Sequence, residues 1–295
     1  MNRMIRLSLC LVLSVCAALA NAGPAPCDNP NPLRFSLIPR TDVAKQLEEH
    51  RPMLRRLEAV LGRKIVVIQP ASYGTVIEGL LAGTVDLASM GPASYLLAKQ
   101  RDPSITPFVT WTMKGGTFVK PGVHFYNALL VTRNDSGISD IAGLKGKSIT
   151  LADPASTSGA VIPRQEFGEL IGQRLEEYFA HVTYSGSHDR SLDALKKGYT
   201  DAAFVASPAF DEAIRQGRVD VRTWRVLWQS RPIPRDPFVY RGKLCSDLRA
   251  KIRQAFLTDT PEVRSMLSNL KAERFVTVSD DDYKGLRETI ERSRY

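Results

Sequence analysis

The sequence predicts an α/β protein of two lobes, each a mostly parallel sheet flanked by helices, with a hinge between the lobes. Short apolar runs alternate with amphipathic helical patterns from residue 33 to about residue 111, as in a doubly wound sheet. The same alternation begins again over residues 139–230, and the tail after it is mostly helical in pattern. Two such units, the second inserted into the first, favour paired crossings near residues 126–130 and 230–234.

The individual elements follow from apolar spacing and from turn residues. The helix over residues 43–61 has Leu47, Leu54 and Leu57 on one side, and Pro92 suits the first turn of its helix. In the first unit we predict strands 33–38, 65–68, 85–89 and 105–111, and helices 43–61, 75–82 and 92–101. In the second we predict strands 126–132, 148–151, 181–184, 202–205 and 225–229, helices 161–170, 190–197 and 209–216, and then tail helices 247–257, 261–270 and 281–292.

The first residues have the pattern of a cleaved secretory signal. Arg3 and Arg6 precede an uncharged apolar run over residues 7–20, which is short for a spanning helix, and Ala20-Asn21-Ala22 fits a cleavage site. We therefore expect export to the periplasm. The expected division of the chain is a signal peptide over 1–22, an N-terminal arm over 23–32, lobe 1 over 33–128 and 231–295, and lobe 2 over 129–230.

The charge of the chain restricts the class of molecule that it is expected to bind. The formal net charge of +9 favours anionic partners in general, but the chain has no basic run and no basic–aromatic motif, so we expect no nucleic acid.

Cleavage of the signal leaves Cys27 and Cys245. In an oxidising compartment such a pair is bridged more often than free, and the sequence leaves the pairing open.

One stretch has the pattern of an anion-binding turn. A predicted strand over residues 148–151 ends near Pro154 and is followed by three consecutive hydroxyls, Ser156, Thr157 and Ser158, at the start of a helical pattern. The first N–H groups of a helix have no acceptor within the helix, and hydroxyls beside them add donors. The alternative is that one of these hydroxyls only caps the helix.

The position of this turn favours ligand binding. In open α/β sheets, ligands bind beyond the carboxyl ends of the strands. Hydroxyls, glycines and single basic groups follow most of the predicted strands here. Two lobes whose strand ends face each other would enclose a cleft lined by hydrogen-bond donors, and hinge closure would shut it.

With these residues identified, the chain resembles the PhnD-like family of periplasmic solute-binding proteins. These proteins serve phosphonate, phosphite and phosphate ABC importers and have the type II periplasmic-binding fold. The resemblance extends from about residue 33 to the C-terminal helices. Its most specific part is the run over residues 153–159, and residues 144–147 and 230–234 also fit the pattern.

The resemblance implies a set of ligand contacts. The hydroxyl run would hold the phosphorus-bound oxygens, a tyrosine would approach from the first lobe, and a histidine would donate from the second. An acid would match the one that contacts the ligand amine in aminoalkylphosphonate binders. The implied ligand-binding residues are Tyr73, Ser156, Thr157, Ser158, His188 and Asp236.

Two departures from the pattern favour a smaller ligand. Met90 stands where the aminoalkylphosphonate binders have a second tyrosine, and the region of residues 207–208 lacks their second acid. Because a desolvated amine needs carboxylate partners, phosphite, phosphate or a small phosphonate becomes the expected ligand. A protonated His188 would donate more strongly to an anion, so binding is expected to weaken as the pH rises through the titration range of this histidine.

The sequence therefore predicts a periplasmic solute-binding component of an ABC importer that delivers a small phosphorus oxyanion to an inner-membrane permease. One alternative is a periplasmic sensor that serves a membrane kinase. Another is an oxyanion-processing enzyme, but the usual catalytic constellations are absent from the sequence, so we expect no enzyme. The proposed site requires no cofactor and no metal, and we expect a monomer.

Overall fold

The computed structural model describes residues 27–292, so the predicted signal peptide and residues 23–26 of the predicted arm lie outside the described residues. No helix in the described range is long and apolar enough to cross a membrane. The first part of the chain consists of β1 (Leu33–Leu37), α1 (Val43–Leu61), β2 (Ile65–Val67), α2 (Tyr73–Leu81), β3 (Leu87–Ser89), α3 (Pro92–Arg101) and β4 (Thr106–Met113).

The second part lies between two crossings and begins at β5 (Phe125–Tyr126). It continues with β6 (Ala128–Arg133), β7 (Ser148–Leu151), α4 (Gly168–Ile171), α5 (Leu175–Tyr178), β8 (His181–Tyr184), α6 (His188–Lys196), β9 (Ala202–Ala206), α7 (Ser207–Arg215) and β10 (Trp224–Gln229). The chain returns through β11 (Ile233–Pro234), β12 (Phe238–Tyr240), α8 (Ser246–Leu257), α9 (Pro261–Asn269), β13 (Ala272–Thr277) and α10 (Lys284–Arg292).

The strands form two large sheets, which confirms the predicted two-lobed α/β class. Within the described residues, one sheet has six strands in the order β13-β4-β12-β3-β1-β2, and the other has five in the order β10-β6-β9-β7-β8. β1 pairs in parallel with β2 and β3, and β7 pairs in parallel with β8 and β9. We call the part built on the six-stranded sheet lobe 1 and the part built on the five-stranded sheet lobe 2.

The crossings between the lobes form a short antiparallel ribbon. Ile233 of β11 lies opposite Tyr126 of β5, so the two strands that connect the sheets are hydrogen-bonded to each other. Beyond the ribbon, β12 enters lobe 1 between β3 and β4, antiparallel to both. Phe238 of β12 is completely buried, in the largest apolar cluster of lobe 1. Both ends of the described chain therefore belong to lobe 1.

Several elements differ from the sequence prediction. The strands β11, β12 and β13 and the short helix α5 are not predicted from the sequence. The helix predicted over residues 161–170 instead begins as two π-helical turns, Thr157–Val161 and Pro163–Phe167, before α4. The reason is a missing donor together with a contact outside the helix. Pro163 has no N–H to donate to the Gly159 carbonyl, which accepts from the Ala152 N–H at 3.0 Å instead.

Cys27 and Cys245 form a disulfide, with an S–S distance of 2.03 Å. The bond attaches the start of the described chain to the residue that precedes α8. Asp28 pairs with Leu244 beside it, and the Arg241 guanidinium contacts both Asp28 and the buried Asp86. The arm is thus held to lobe 1 by a covalent bond and by an ion-pair network.

The two lobes contact each other across the cleft. The Ala93 N–H of lobe 1 donates to Thr157 Oγ1 at 2.9 Å, and Ser94 Oγ donates to the Ala155 carbonyl at 2.8 Å. At the other side of the cleft, the His188 N–H donates to the Arg40 carbonyl at 3.0 Å. The structure therefore represents a closed arrangement of the lobes.

Candidate ligand-binding site

A pocket of about 90 Å³ lies between the lobes, where the carboxyl ends of β1, β3, β7 and β9 face one another. All six residues predicted from the resemblance line this pocket. Several further polar side chains line it and were not in the predicted set, among them Arg40, Tyr126 and Arg235.

The hydroxyl run is positioned by the turn that follows β7. Asp153 Oδ1 accepts from the Ala155 N–H at 2.8 Å, which closes the turn, and Asp153 Oδ2 accepts from the Tyr73 N–H of lobe 1 at 3.3 Å. The Ser156 carbonyl then accepts from the N–H groups of both Ala160 and Val161, at 3.0 and 2.9 Å. This widened first turn directs the Ser156–Ser158 segment into the pocket.

Two of the three hydroxyls accept hydrogen bonds from backbone N–H groups. Ser156 Oγ accepts from the Gly159 N–H at 3.1 Å, and Thr157 Oγ1 accepts from the Ala93 N–H at 2.9 Å. A hydroxyl that accepts a backbone hydrogen bond still has its own O–H to donate. Ser158 Oγ lies 3.5 Å from His188 Nε2, so it is the hydroxyl of the run with the least engagement to protein. Helix capping and donation to a ligand are therefore compatible for Ser156.

His188 is a neutral donor in this arrangement. The Ala206 N–H donates to its Nδ1 at 3.3 Å, so the ring hydrogen resides on Nε2, which faces Ser158. Burial lowers the pKa of His188 to about 4, with Asp236 opposing this shift and Arg40 adding to it. The predicted decrease of binding through an ordinary histidine titration is therefore wrong for this site, because the ring is already neutral well below pH 6.5.

We expect His188 to contribute no pH dependence to binding between pH 5.5 and 8. Since the solute itself titrates, the test is the ratio of the Kd of His188→Gln to that of the wild type, measured by calorimetry across this range. Glutamine keeps a donor near the Nε2 position without an ionisable ring. A constant ratio is the expected result. A ratio that increases toward pH 5.5 would show that protonated His188 binds the solute and would contradict the assignment.

Two tyrosines complete the donor set. The Tyr73 hydroxyl is buried beside Ser156 and has no hydrogen-bond partner of good geometry among residues 27–292. The Tyr126 hydroxyl lies beside Ser158 and Thr157. Burial raises the pKa of both tyrosines well above the ordinary value, so both remain protonated and able to donate. The sequence analysis did not place Tyr126 in the site.

The acid of the predicted set is paired with an arginine. Asp236 Oδ2 accepts from Arg40 Nη1 at 3.4 Å, and Arg40 Nη2 also lies 3.7 Å from Glu49.

The neighbouring Arg235 is 6% exposed and lies over the Trp111 ring, with 4.8 Å from its guanidinium carbon to the ring centroid. The sequence analysis missed Arg235, and its only signal was its position next to Asp236.

The chain is similar to known binding proteins of transporters. A family model described as "ABC transporter, phosphonate, periplasmic substrate-binding protein" matches residues 35–283. A "Phosphate-import protein PhnD" of Mycolicibacterium smegmatis is 27% identical over 88% of this chain and 84% of its own length. A "Phosphonates-binding periplasmic protein" of Escherichia coli is 25% identical over 84% of this chain and 72% of its own length.

Solved structures share the fold. A binding-protein component of an ABC phosphonate transporter from Pseudomonas aeruginosa has a TM-score of 0.79 and 22% identity, covering 90% of this chain and 88% of that one. PhnD1 from Prochlorococcus marinus, in complex with methylphosphonate, has a TM-score of 0.77 and 18% identity, covering 89% and 98%. The fold is thus the type II periplasmic-binding fold, with two lobes around one cleft. Because the family model matches most of its length, the chain belongs to the phosphonate-binding family of periplasmic components of ABC transporters.

Proposed function

We propose that this protein captures a small phosphorus oxyanion (phosphite, phosphate or a small phosphonate) between its lobes and delivers it to an ABC permease in the inner membrane. Two relatives support this class of ligand, since one is a phosphate-import protein and the other a phosphonates-binding protein. The protein acts as a binding component without catalysis. Its six proposed ligand contacts are those predicted from the sequence, to which the pocket adds Tyr126.

The observation that carries the proposal is the convergence of hydroxyl and imidazole donors in one pocket between the lobes. Ser156 and Thr157 have accepted backbone N–H bonds and keep their O–H groups, and the neutral ring of His188 presents Nε2–H. The Tyr73 hydroxyl is buried and has no hydrogen-bond partner of good geometry in the described part of the chain. Buried donors without acceptors cost free energy, and the oxygens of an oxyanion would satisfy several of them at once.

The size of the pocket and the strength of these bonds agree with a small solute. A volume of about 90 Å³ is comparable to that of a few water molecules, which suits a phosphorus atom with its oxygens and one small substituent. Hydrogen bonds to a charged group contribute about 1.5–3 kcal/mol each. Four of them contribute about 6–12 kcal/mol in all, and micromolar affinity needs about 8 kcal/mol after the costs of ordering the solute.

The test is a binding panel measured by thermal shift and calorimetry with phosphite, phosphate, methylphosphonate and 2-aminoethylphosphonate. A true ligand raises the melting temperature by mass action. We expect Ser158→Ala to weaken binding about tenfold with little change in unliganded stability, since Ser158 caps nothing. Ser265→Ala, on the exposed side of α9, is the matched control and should bind as the wild type does.

Ser156→Ala is a second variant, in which binding and stability are expected to change together. Its hydroxyl caps the π-helical turn, so we expect a loss of about 1 kcal/mol of stability together with weaker binding. If no phosphorus oxyanion stabilises the wild-type protein, the proposed ligand class is wrong. Turnover of any panel member would contradict the proposal that the protein is not an enzyme.

We further propose that lobe 1 comprises residues 33–128 and 231–295, lobe 2 residues 129–230, and that the β5–β11 ribbon is the hinge. The paired strands of the ribbon support this, because they are the connections between the two sheets. A sensor that signals to a membrane kinase would use the same closure. Uptake of the ligand by vesicles containing the partner permease would support the transport role, whereas ligand-dependent kinase phosphorylation without uptake would support the sensor role.

A further inference from the structure

Arg235 is a buried cation whose side chain is held mainly by aromatic rings. Its guanidinium carbon lies 4.8 Å from the Trp111 ring centroid and 5.5 Å from that of Tyr126. The residue is 6% exposed, and its Nε has no hydrogen-bond partner among the described residues. These contacts hold the guanidinium at the wall of the pocket, since Arg235 is one of the residues that line it.

Within residues 27–292, no carboxylate forms a hydrogen bond with the Arg235 guanidinium. Asp236 contributes an attractive potential, and burial is the main influence that lowers the pKa of Arg235. The Asp236 carboxylate, however, is bonded to Arg40 at 3.4 Å, and Arg40 also approaches Glu49 at 3.7 Å. Arg40 therefore compensates the two carboxylates, while the donors of Arg235 remain available.

A buried charge without hydrogen-bonded partners is unfavourable unless something else supplies them. Trp111 and Tyr126 offset part of this cost through cation–π contact. Neither ring accepts a hydrogen bond from the N–H groups that lie in the guanidinium plane. These are the N–H groups with which arginine binds two oxygens of one oxyanion. The pocket supplies the remaining donors from the hydroxyl run on the lobe 2 side.

We infer that Arg235 donates to the bound solute and makes the site selective for phosphorus oxyanions that carry no amine. This inference rests on the proposed function and narrows its substrate class. An ammonium group on the substituent would lie close to two guanidinium groups, while the acids that line the pocket are each already paired with an arginine or a lysine, namely Asp236, Glu49, Asp189 and Glu212. Like charges held together in a closed pocket oppose binding and so determine specificity.

The experiment compares Arg235→Met, Arg235→Lys and Arg249→Met with the wild type. Arg249 is the matched control because its guanidinium also stacks on an aromatic ring, that of Tyr240 at 5.7 Å, but it does not line the pocket. For methylphosphonate, we expect a Kd about 100-fold higher in Arg235→Met and about tenfold higher in Arg235→Lys, which keeps the charge but not the planar fork. Arg249→Met should bind as the wild type does.

A second measurement separates binding from packing. Because the change removes a buried charge without partners, the melting temperature of Arg235→Met without solute should not be lower than that of Arg249→Met. A clearly lower melting temperature would assign Arg235 a structural role and overturn the inference. Methylphosphonate affinity within threefold of the wild type would also overturn it.

Binding measurements on the wild type distinguish failure of this inference from failure of the proposed function. We expect 2-aminoethylphosphonate to bind at least about tenfold more weakly than methylphosphonate. Equal affinity for the two would overturn the amine-free substrate class while leaving the proposed function intact. Failure of the wild type to bind any phosphorus oxyanion would instead refute the proposed function itself.

Discussion

Gly159→Ala is expected to abolish measurable oxyanion binding and to lower the free energy of unfolding by about 1–3 kcal/mol. A Cβ at this position would lie 2.5 Å from Ala152 Cβ, 2.8 Å from Ser156 Oγ and 3.0 Å from His188 Cε1. None of these atoms can move freely, because Ala152 follows β7 directly and is bonded to the Gly159 carbonyl. The hydroxyl run and His188 would have to separate, and together they form one side of the pocket.

The measurements are calorimetric titration with the solute identified in the panel and chemical denaturation without it. Gly285→Ala is the control, since nothing lies within 4 Å of a Cβ there and the position is within α10. Alanine in an unobstructed helix position is expected to be neutral or slightly stabilising. Wild-type affinity in Gly159→Ala would mean that the close packing of this turn is irrelevant to the site.

The elements that the sequence predicted well are those whose signal is local. β7 and β8 have the predicted bounds because each is a short run set between turn residues, and α1 begins at Val43 after the Asp42 cap. The starts of α2 and α6 were predicted two residues late. In the structure, Tyr73 and His188 instead belong to the first turns of these helices, which are capped by the preceding serines.

The features that the sequence did not predict depend on distant partners. β12 is only three residues long, and it is a strand because β3 and β4 supply its neighbours. The widened turn at Thr157 depends on the contact between Gly159 and Ala152 as well as on Pro163. Arg235 is indistinguishable in sequence from a surface arginine, and only the fold places Trp111 and Tyr126 against it. Local chemistry thus predicted the hydroxyl run, but the cationic part of the pocket required the tertiary structure.

Asp211→Ala is expected to weaken solute binding at least about tenfold, although Asp211 does not line the pocket. The loop after β4, residues 114–123, extends from lobe 1 to α7 of lobe 2. There the Phe118 N–H donates to both carboxylate oxygens of Asp211, at 3.0 and 3.1 Å, and the Phe118 ring packs on Phe210 with a centroid distance of 5.2 Å. Gly116 passes so close that a Cβ would lie 2.2 Å from Asp211 Oδ2.

This contact stabilises the closed arrangement because Asp211 is 3% exposed and its removal would leave a half-buried N–H without an acceptor. The lost free energy should appear as faster dissociation, measured by stopped-flow release of solute, with little change in the association rate. Asp220→Ala is the control, since its carboxylate pairs with Arg222 at the surface of the same lobe. If Asp211→Ala releases solute at the wild-type rate, the loop must move together with lobe 2, and the cleft would then open without breaking this contact.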